Sequence, residues 1–515
     1  MKKLRSLIAF SIILTVMIAS VGSKVFGQIN RLGTISFPTS GSAAAQPHFI
    51  RGVLFLHSFE YDSAASQFRT AEKIDPSFAM AYWGEAMTCT HPVWNEQDLS
   101  AARAALSKLG ATSQARKART KTAREADYLN AVEILYGNGT KPHRDTVYSA
   151  AMQRLSSKYP GDVEARAFYA LSLLGLNQGV RDVPTYLRAG AIAEDIFRKH
   201  PDHPGAAHYV IHSYDDPAHA PMGLKAARAY SKIAPGAAHA QHMTTHIFMA
   251  LGMWDEVASQ NEIASDHDHN MWAPGHYTMW LNYAYLQQGR FNEALHMLET
   301  LRRGPGGATR PDWLFKGQYL IDTEQWTGEV AQWDSGKSPE NPQLKPYWSF
   351  IQGYAAISRG DEEGASRSLI ELSRANAAAG VKVDPIDAIL EIELKAMVKL
   401  AQGSSEEAVH LMRDATARQD AMPFDFGPPP VVKPTHELFG EMLLKLKRPK
   451  EARDEFKRSL SLAPRRIRSL LGLARAESAM GDRAAAGETY KTIRSIWHAA
   501  DPSQKNLPEL RVALN

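Results

Sequence analysis

The sequence predicts an all-α chain built from stacked helical hairpins. Three observations predict it: small and aromatic residues recur with a period of about 34 residues, prolines and glycines punctuate that recurrence, and the composition, 44% hydrophobic and 22% charged over 515 residues, is that of a folded chain without low-complexity tails. The recurrence is clearest in KPTHELFGEMLLKLKRPKEARDEFKRSLSLAP, where Gly440, Ala452 and Phe456 hold the small and aromatic positions and Pro464 closes the unit. Moving on 34 residues gives Ala474, Ala486 and Tyr490, with Gly481 at the turn between helices.

In chain order, the first element is an apolar run from Leu7 to about Val21, preceded by Lys2, Lys3 and Arg5 and followed by small residues up to Gly27. This pattern predicts a secretory signal peptide over residues 1–27, cleaved after Ser23 or Gly27. The run is shorter than the roughly 20 residues that span a bilayer. Export to the periplasm or the extracellular space is therefore expected, with no stable membrane insertion after cleavage. Losing residues 1–27 removes four basic side chains and no acid, so the formal charge falls from +4 to zero. A neutral chain without a basic patch excludes general nucleic-acid binding. Cys89, the single cysteine, excludes an intramolecular disulfide.

Residues 45–300 are expected to form an N-terminal solenoid with a histidine-rich groove. Its first unit is FIRGVLFLHSFEYDSAASQFRTAEKIDP, with Gly52, Phe55, Tyr61, Ala64, Phe68, Ala71 and Pro76 in the recurring positions. Gly252, Trp254, Val257 and Ala264 repeat the pattern, as do Gly289, Phe291, Ala294 and Leu298. Residues 301–420 read as degenerate helical repeats. Within 302–313, RRGPGGATRPDW lacks the Lys-Ser/Thr ending of a phosphate-binding loop and reads as a plain loop. Residues 421–435, AMPFDFGPPPVVKPT, hold too many prolines for helix and are expected to be extended, either crossing a groove or joining two halves. Residues 436–498 form a C-terminal pair of hairpins.

This spacing resembles the tetratricopeptide repeat. Small residues let the A and B helices of a unit approach, an aromatic fills the gap, and a proline stops helix B. No single unit buries its apolar face alone, so units must stack. The resemblance implies a right-handed superhelical solenoid of roughly a dozen hairpins over residues 45–498. It also implies a concave groove suited to a protein or peptide partner.

Twelve of the 19 histidines lie between His200 and His296. In the unit that contains Trp254 and Ala264, Thr245 and Phe248 fall at positions facing helix B. His239, His242 and His246, at i, i+3 and i+7, then share a different face of helix A. By resemblance these are groove positions 2, 5 and 9. One unit earlier, His208 and His212 lie 34 residues before His242 and His246, and both pairs have the HxxxH spacing that stacks imidazoles one turn apart. Matching PGAAH at 204–208 with PGAAH at 235–239 shifts the register by three residues and still opposes histidine to histidine. Neighbouring helices are about 10 Å apart, a gap that facing imidazoles can close around one ion with bonds of about 2 Å. His276 begins the next A helix and matches His239. The candidate ligands are therefore His208, His212, His239, His242, His246 and His276, with Asp215, Asp216 and His219 as supporting groups.

PGAxH followed by HMxxHIF and a glycine-aromatic turn resembles a group of exported bacterial tetratricopeptide proteins. This chain departs from the version with proline inside HMPxHI by having Thr244 and Thr245, which permits a straighter helix. Imidazole ligands with almost no sulfur nearby favour copper, zinc or iron.

Other chemistry is weaker. Neither HYVIH nor HMTTH carries the glutamate of a zinc-protease HExxH, and no GxSxG elbow supports a serine nucleophile. Cys89 with His91 reads as packing, Trp83 and Trp94 as core or groove lining, HDH at 267–269 as a loop, and Glu437 with Glu441 beside His436 as a solvated acidic face. The expected function is an exported binding module that coordinates a transition metal through groove histidines. The alternatives are a metal-dependent hydrolase or oxidase with an open coordination position, a metal-free interaction scaffold, and a pH-sensing histidine surface.

Overall fold

A computed structural model describes residues 31–177, 180–267, 275–303, 313–333, 338–505 and 507–512. The expected signal peptide, the centre of the 302–313 loop, and Asp268 and His269 lie outside the described residues. The chain divides into two compact units: one comprises the residues up to Asp215 together with His219–Ile247, and the other comprises Asp216–Ala218 and the residues from Phe248 onward.

The first unit is all-α apart from one miniature hairpin. Its helices are α1 (Gln46–His57), α2 (Tyr61–Ile74), α3 (Ala79–Met87), α4 (Leu99–Leu109), α5 (Ser113–Lys117), α6 (Ala123–Leu135), α7 (Lys141–Lys158), α8 (Val163–Leu174), α9 (Val183–Lys199), α10 (Pro204–Tyr214), α11 (Ala220–Ile233) and α12 (Ala238–Ala250), the last running across the division. Between α3 and α4, strands β1 (Thr90–His91) and β2 (Glu96–Gln97) pair antiparallel around a single 3-10 turn that carries Trp94. Helix starts are chemically marked: Asp98, Thr122, Asp162 and Asp182 each accept a hydrogen bond from the amide three residues on.

Sequential helices pack as antiparallel pairs, and the interlock is the one the recurrence predicts. A Cβ on Gly52 would lie 2.7 Å from the Phe68 ring, so only glycine lets α1 and α2 meet this closely. The unit also closes on itself, because α1 packs against α10 as well as against α2. That non-sequential contact brings the end of α1 to the histidines of α10.

The second unit continues with α13 (Trp254–His267), α14 (His276–Gln287), α15 (Phe291–Arg303), α16 (Trp313–Thr323), α17 (Glu329–Gln332), α18 (Lys345–Ser358), α19 (Glu362–Ala379), α20 (Pro385–Ala401), α21 (Ser405–Ala421), α22 (Thr435–Lys445), α23 (Pro449–Leu462), α24 (Ile467–Ala479), α25 (Arg483–Ile496), α26 (Pro502–Lys505) and α27 (Pro508–Val512). The same interlock recurs at Gly440, whose Cβ would lie 2.8 Å from Phe456. Residues 423–434 contain no helix, as their prolines require, and Val431, Val432 and Lys433 at the end of the segment are buried. Late helices of this unit return to early ones: the Trp254 indole donates to the Arg465 carbonyl at 3.1 Å, and the Trp497 indole donates to the Gln287 carbonyl at 3.1 Å.

Among the described residues no helix is long and apolar enough to cross a membrane. The architecture is all-α, made of stacked tetratricopeptide-type hairpins.

Candidate metal centre

Five of the six candidate ligands come together in the first unit. Their ring centroids form a closed circuit: His208 to His212 is 4.8 Å, His212 to His246 is 5.5 Å, His246 to His242 is 5.2 Å, His242 to His239 is 6.2 Å, and His239 to His208 is 5.2 Å. The HxxxH spacings supply the pairs within each helix, and the stacking of hairpins supplies the pairs between α10 and α12. All five are enclosed, with 0–7% of their surface exposed, where repeat register had placed them along an open groove. His276 opens α14 in the second unit and is exposed. Thr245 and Phe248 are buried.

Hydrogen bonds fix which ring nitrogen carries the proton in His208 and in His246. The acceptor opposite His208 Nδ1 is the backbone carbonyl of His57, at 2.7 Å. A carbonyl only accepts, so Nδ1 bears the hydrogen and Nε2 carries the lone pair. That Nε2 is buried and makes no hydrogen bond to any described residue. In the same way His246 Nδ1–H donates to Asp215 Oδ2 at 3.1 Å, and His212 Nδ1 lies 3.5 Å from the same oxygen. Burial drives the Asp215 pKa up, but the Arg181 guanidinium and the two histidines pull it down further, leaving it below the carboxylate range. Carboxylate-oriented imidazoles with their far nitrogen turned inward are a common arrangement around protein-bound metals.

Burial, reinforced by the neighbouring imidazoles, pushes His208 and His239 well below their ordinary value of about 6.5. Burial also lowers His246, against the pull of Asp215. These rings are therefore neutral at pH 7, the form that donates a lone pair. One nitrogen from each of His208, His212 and His239 lies within 4.8 Å of the other two, and His212, Asp215 and His246 make a second such set. Of the other supporting candidates, Asp216 accepts from the Ala218 amide at 3.0 Å and His219 is half-buried at the start of α11.

A third set, His57, Glu164 and His203, has a different character. His57 Nε2–H donates to Glu164 Oε2 at 2.7 Å and its Nδ1 accepts from the Tyr209 hydroxyl at 2.8 Å. His203 Nε2–H donates to Glu164 Oε1 at 3.2 Å while its Nδ1 accepts from the Ala206 amide at 3.1 Å. Every ring nitrogen and both carboxylate oxygens are engaged, so this set is a scaffold that fixes His57, and with it the carbonyl that orients His208.

Phe59 completes the enclosure. Its ring centroid lies 4.2, 5.7 and 5.6 Å from those of His208, His212 and His239. Trp94, at the tip of the β1–β2 hairpin, stands 5.5 Å from Phe59 and 5.9 Å from His239 with 39% of its surface exposed. His57, Phe59, Glu164 and Arg181 are absent from the sequence reading, since repeat register relates neighbouring units and not α1 to α10. One signal was present: Phe59 stands in a helix-ending turn where Gly252 and Gly289 stand in other hairpins.

The remaining candidates separate clearly. Burial pushes the Cys89 thiol up to about 11, which leaves it protonated and unreactive at neutral pH. Its neighbour His91 faces Glu96 at 3.2 Å. Trp83 is core. Glu437 is not on a solvated face: fully buried, it accepts from Arg466 Nε at 2.8 Å, Lys433 Nζ at 3.0 Å and Ser469 Oγ at 2.6 Å. Arg466, also buried, donates to Asp322 Oδ1 at 2.7 Å and to the Tyr283 hydroxyl at 3.1 Å, while Lys433 reaches Glu441 at 2.6 Å. Cations from the proline-rich segment and from the loop before α24 turn what looked like an acidic surface stripe into a paired interior. His436 lies between Glu455 at 2.6 Å and Asp420 at 3.2 Å.

No protein-family model matches this chain, and no curated protein matches it. Among solved structures, the chain is similar to the human IFIT1 dimer with PPP-AAAA, at 13% identity and a TM-score of 0.37, covering 89% of this chain and 91% of that one. It is similar to the APC/C hetero-tetramer Cut9–Hcn1 at 14% identity and a TM-score of 0.34, covering 93% and 78%. It is also similar to yeast Tom70 at 12% identity and a TM-score of 0.26, covering 92% and 95%. Likeness at this level carries no argument about function, and the tetratricopeptide-type architecture rests on the chain's own hairpins and their interlocks.

Proposed function

We propose that this chain is an exported binding module that holds a transition metal ion, copper, zinc or iron, through the histidines of α10 and α12. The observation that supports the reading is His208 Nε2. It is buried, fixed as a lone-pair acceptor by the His57 carbonyl, and without a hydrogen bond among the described residues. A buried acceptor left in that condition costs about 1–3 kcal/mol, and nitrogens of His212 and His239 share the same small space. An ion with metal–nitrogen bonds of about 2.0–2.1 Å would take a lone pair from each of the three after small ring movements, with Asp215 orienting His212 and His246 behind them. Export rests on the Lys2–Gly27 pattern. The hairpin architecture adds a surface on which a protein or peptide partner can dock.

The test is elemental analysis of the full chain purified without a histidine tag, before and after reconstitution with copper, zinc and ferrous iron. One equivalent of metal, lost on His208→Phe substitution, is the expected result. Absence of stoichiometric metal after reconstitution would leave a metal-free scaffold. Sequencing the N-terminus of the secreted or periplasmic protein checks export.

A further inference from the structure

We infer that the metal held by His208, His212 and His239 is monovalent copper, three-coordinate and covered by the ring of Phe59. The inference rests on the metal reading above and names the ion it selects.

The covering residue is held in place at a cost. Phe59 has φ 56°, in the left-handed region where a side chain costs roughly 1–2 kcal/mol. Its amide donates to Leu56 O at 3.1 Å and the next amide donates to Phe55 O at 3.0 Å. The same pair of bonds closes the turns at Gly252 and Gly289, where φ is 64° and 67°. Lys447 also occupies such a turn, with φ 57°, but its side chain is exposed. Phe59 instead turns inward, 7% exposed, against all three imidazoles of the set. An ordinary helix-ending turn needs no such residue.

Charge then selects the ion. An imidazole that binds through its lone pair brings no charge to the ion, and the set contains no carboxylate. Asp215, on the far side of His212, is already neutralised by Arg181. Phe59, Trp94 against His239, and Tyr230 stacked on His208 at 5.1 Å give the set three aromatic neighbours, and the Glu60 carboxylate is tied to the His239 backbone amide at 3.1 Å. The Born cost of burying an ion rises with the square of its charge, so a divalent ion costs about four times as much here as a monovalent one. Zinc at three histidines completes its tetrahedron with water, and the Phe59 ring stands over that set. A closed-shell d10 ion of single charge needs no fourth ligand, binds imidazole, and leaves less charge uncompensated.

The experiment uses the full chain under anaerobic, reducing conditions, titrated with cuprous ion against a chromogenic cuprous chelator and separately with zinc against a zinc chelator. The expected result is one cuprous ion per chain, bound at least about 100-fold more tightly than zinc, with an X-ray absorption edge showing three nitrogen donors. Phe59→Gly suits the backbone and opens the covered side to water. It should narrow the cuprous-to-zinc preference by about tenfold or more while circular dichroism and the melting transition are retained. Zinc bound as tightly as cuprous ion and lost on His208→Phe, or a preference unchanged by Phe59→Gly, overturns the inference and leaves the metal-binding proposal standing. Failure to bind either ion overturns the inference, and failure to bind ferrous iron as well overturns both.

Discussion

The imidazole of His208 is hydrogen-bonded at 2.7 Å to the backbone carbonyl of His57, a residue 151 positions earlier in the chain. The contact fixes the tautomer of a buried ring, so the ring nitrogen that faces its neighbours is chosen by the backbone of another helix. Replacing His208 with phenylalanine keeps a ring against Phe59 and Tyr230 but removes both nitrogens. Metal content should fall to zero, while stability drops by only about 1–3 kcal/mol for the carbonyl left unpaired. Elemental analysis and urea unfolding of the same preparation check both halves.

Glu164 tests the scaffold beneath that carbonyl. Glu164→Gln puts an amide where two imidazole N–H groups converge, so one donor faces another. Unfolding should show a loss of about 1–3 kcal/mol, with metal stoichiometry unchanged in the folded fraction, because Glu164 supports the site without belonging to it.

The histidines give stability a defined pH dependence. His57, His208, His239 and His246 have folded-state values below the ordinary 6.5 or so, chiefly through burial. Above about pH 6.5 folded and unfolded states are both neutral at these positions and their contribution is fully present. As pH falls through 6.5 the unfolded chain takes up protons that the folded chain refuses, and stability falls by up to about 1.4 kcal/mol per pH unit for each histidine. Asp215 and Glu164, held low, add a second loss below about pH 4. Urea midpoints of the metal-free chain between pH 4 and 8 should trace this descent, and a flat profile across pH 5–7 would refute it.

Much of this was visible in the residues themselves. The pairing of Gly52 with Phe68 and of Gly440 with Phe456, the punctuation at Gly252 and Gly289, and the opposition of HYVIH to HMTTH all follow from local periodicity, which a linear string records directly. The enclosure of the histidines was not visible. It depends on α1 meeting α10, a closure that spans repeats unrelated by register, so His57 and Glu164 carried no periodic mark, and Phe59 only its place in a turn that glycine fills in other hairpins. Glu437 was misplaced for a related reason: its spacing with Glu441 suits an exposed stripe, and only the arrival of Lys433 and Arg466 makes burial tolerable.

That buried pairing gives a sharp expectation. Arg466→Met leaves Asp322 and Glu437 in the interior without their shared guanidinium. Removing one partner of a buried ion pair costs about 3–5 kcal/mol. The variant should unfold at correspondingly lower denaturant, with metal content unaltered.

Glu393 carries the opposite sign. Fully buried on α20, it is pushed up to about 8 by burial, with the Thr435 hydroxyl and Lys433 opposing and Glu437 reinforcing. Its carboxyl is raised above an unfolded value of about 4.3. Its contribution is therefore present below that pH and is lost as pH rises toward 8. Glu393→Gln removes this slope, so the variant should be more stable than the parent at pH 7.5 and lose that advantage at pH 5. Melting curves at the two pH values decide the matter.

The meeting of α1 with α10 also bears on biosynthesis. A simple repeat array can lock each hairpin onto the one before it as the chain emerges, but His57 and Phe59 have no histidines to meet until about 150 further residues have been made. At roughly 5–20 residues per second that is a wait of about 8–30 s, during which the apolar face of α1 is only partly covered. Nascent chains stopped before residue 204 should therefore expose that face, and those extended past residue 250 should not.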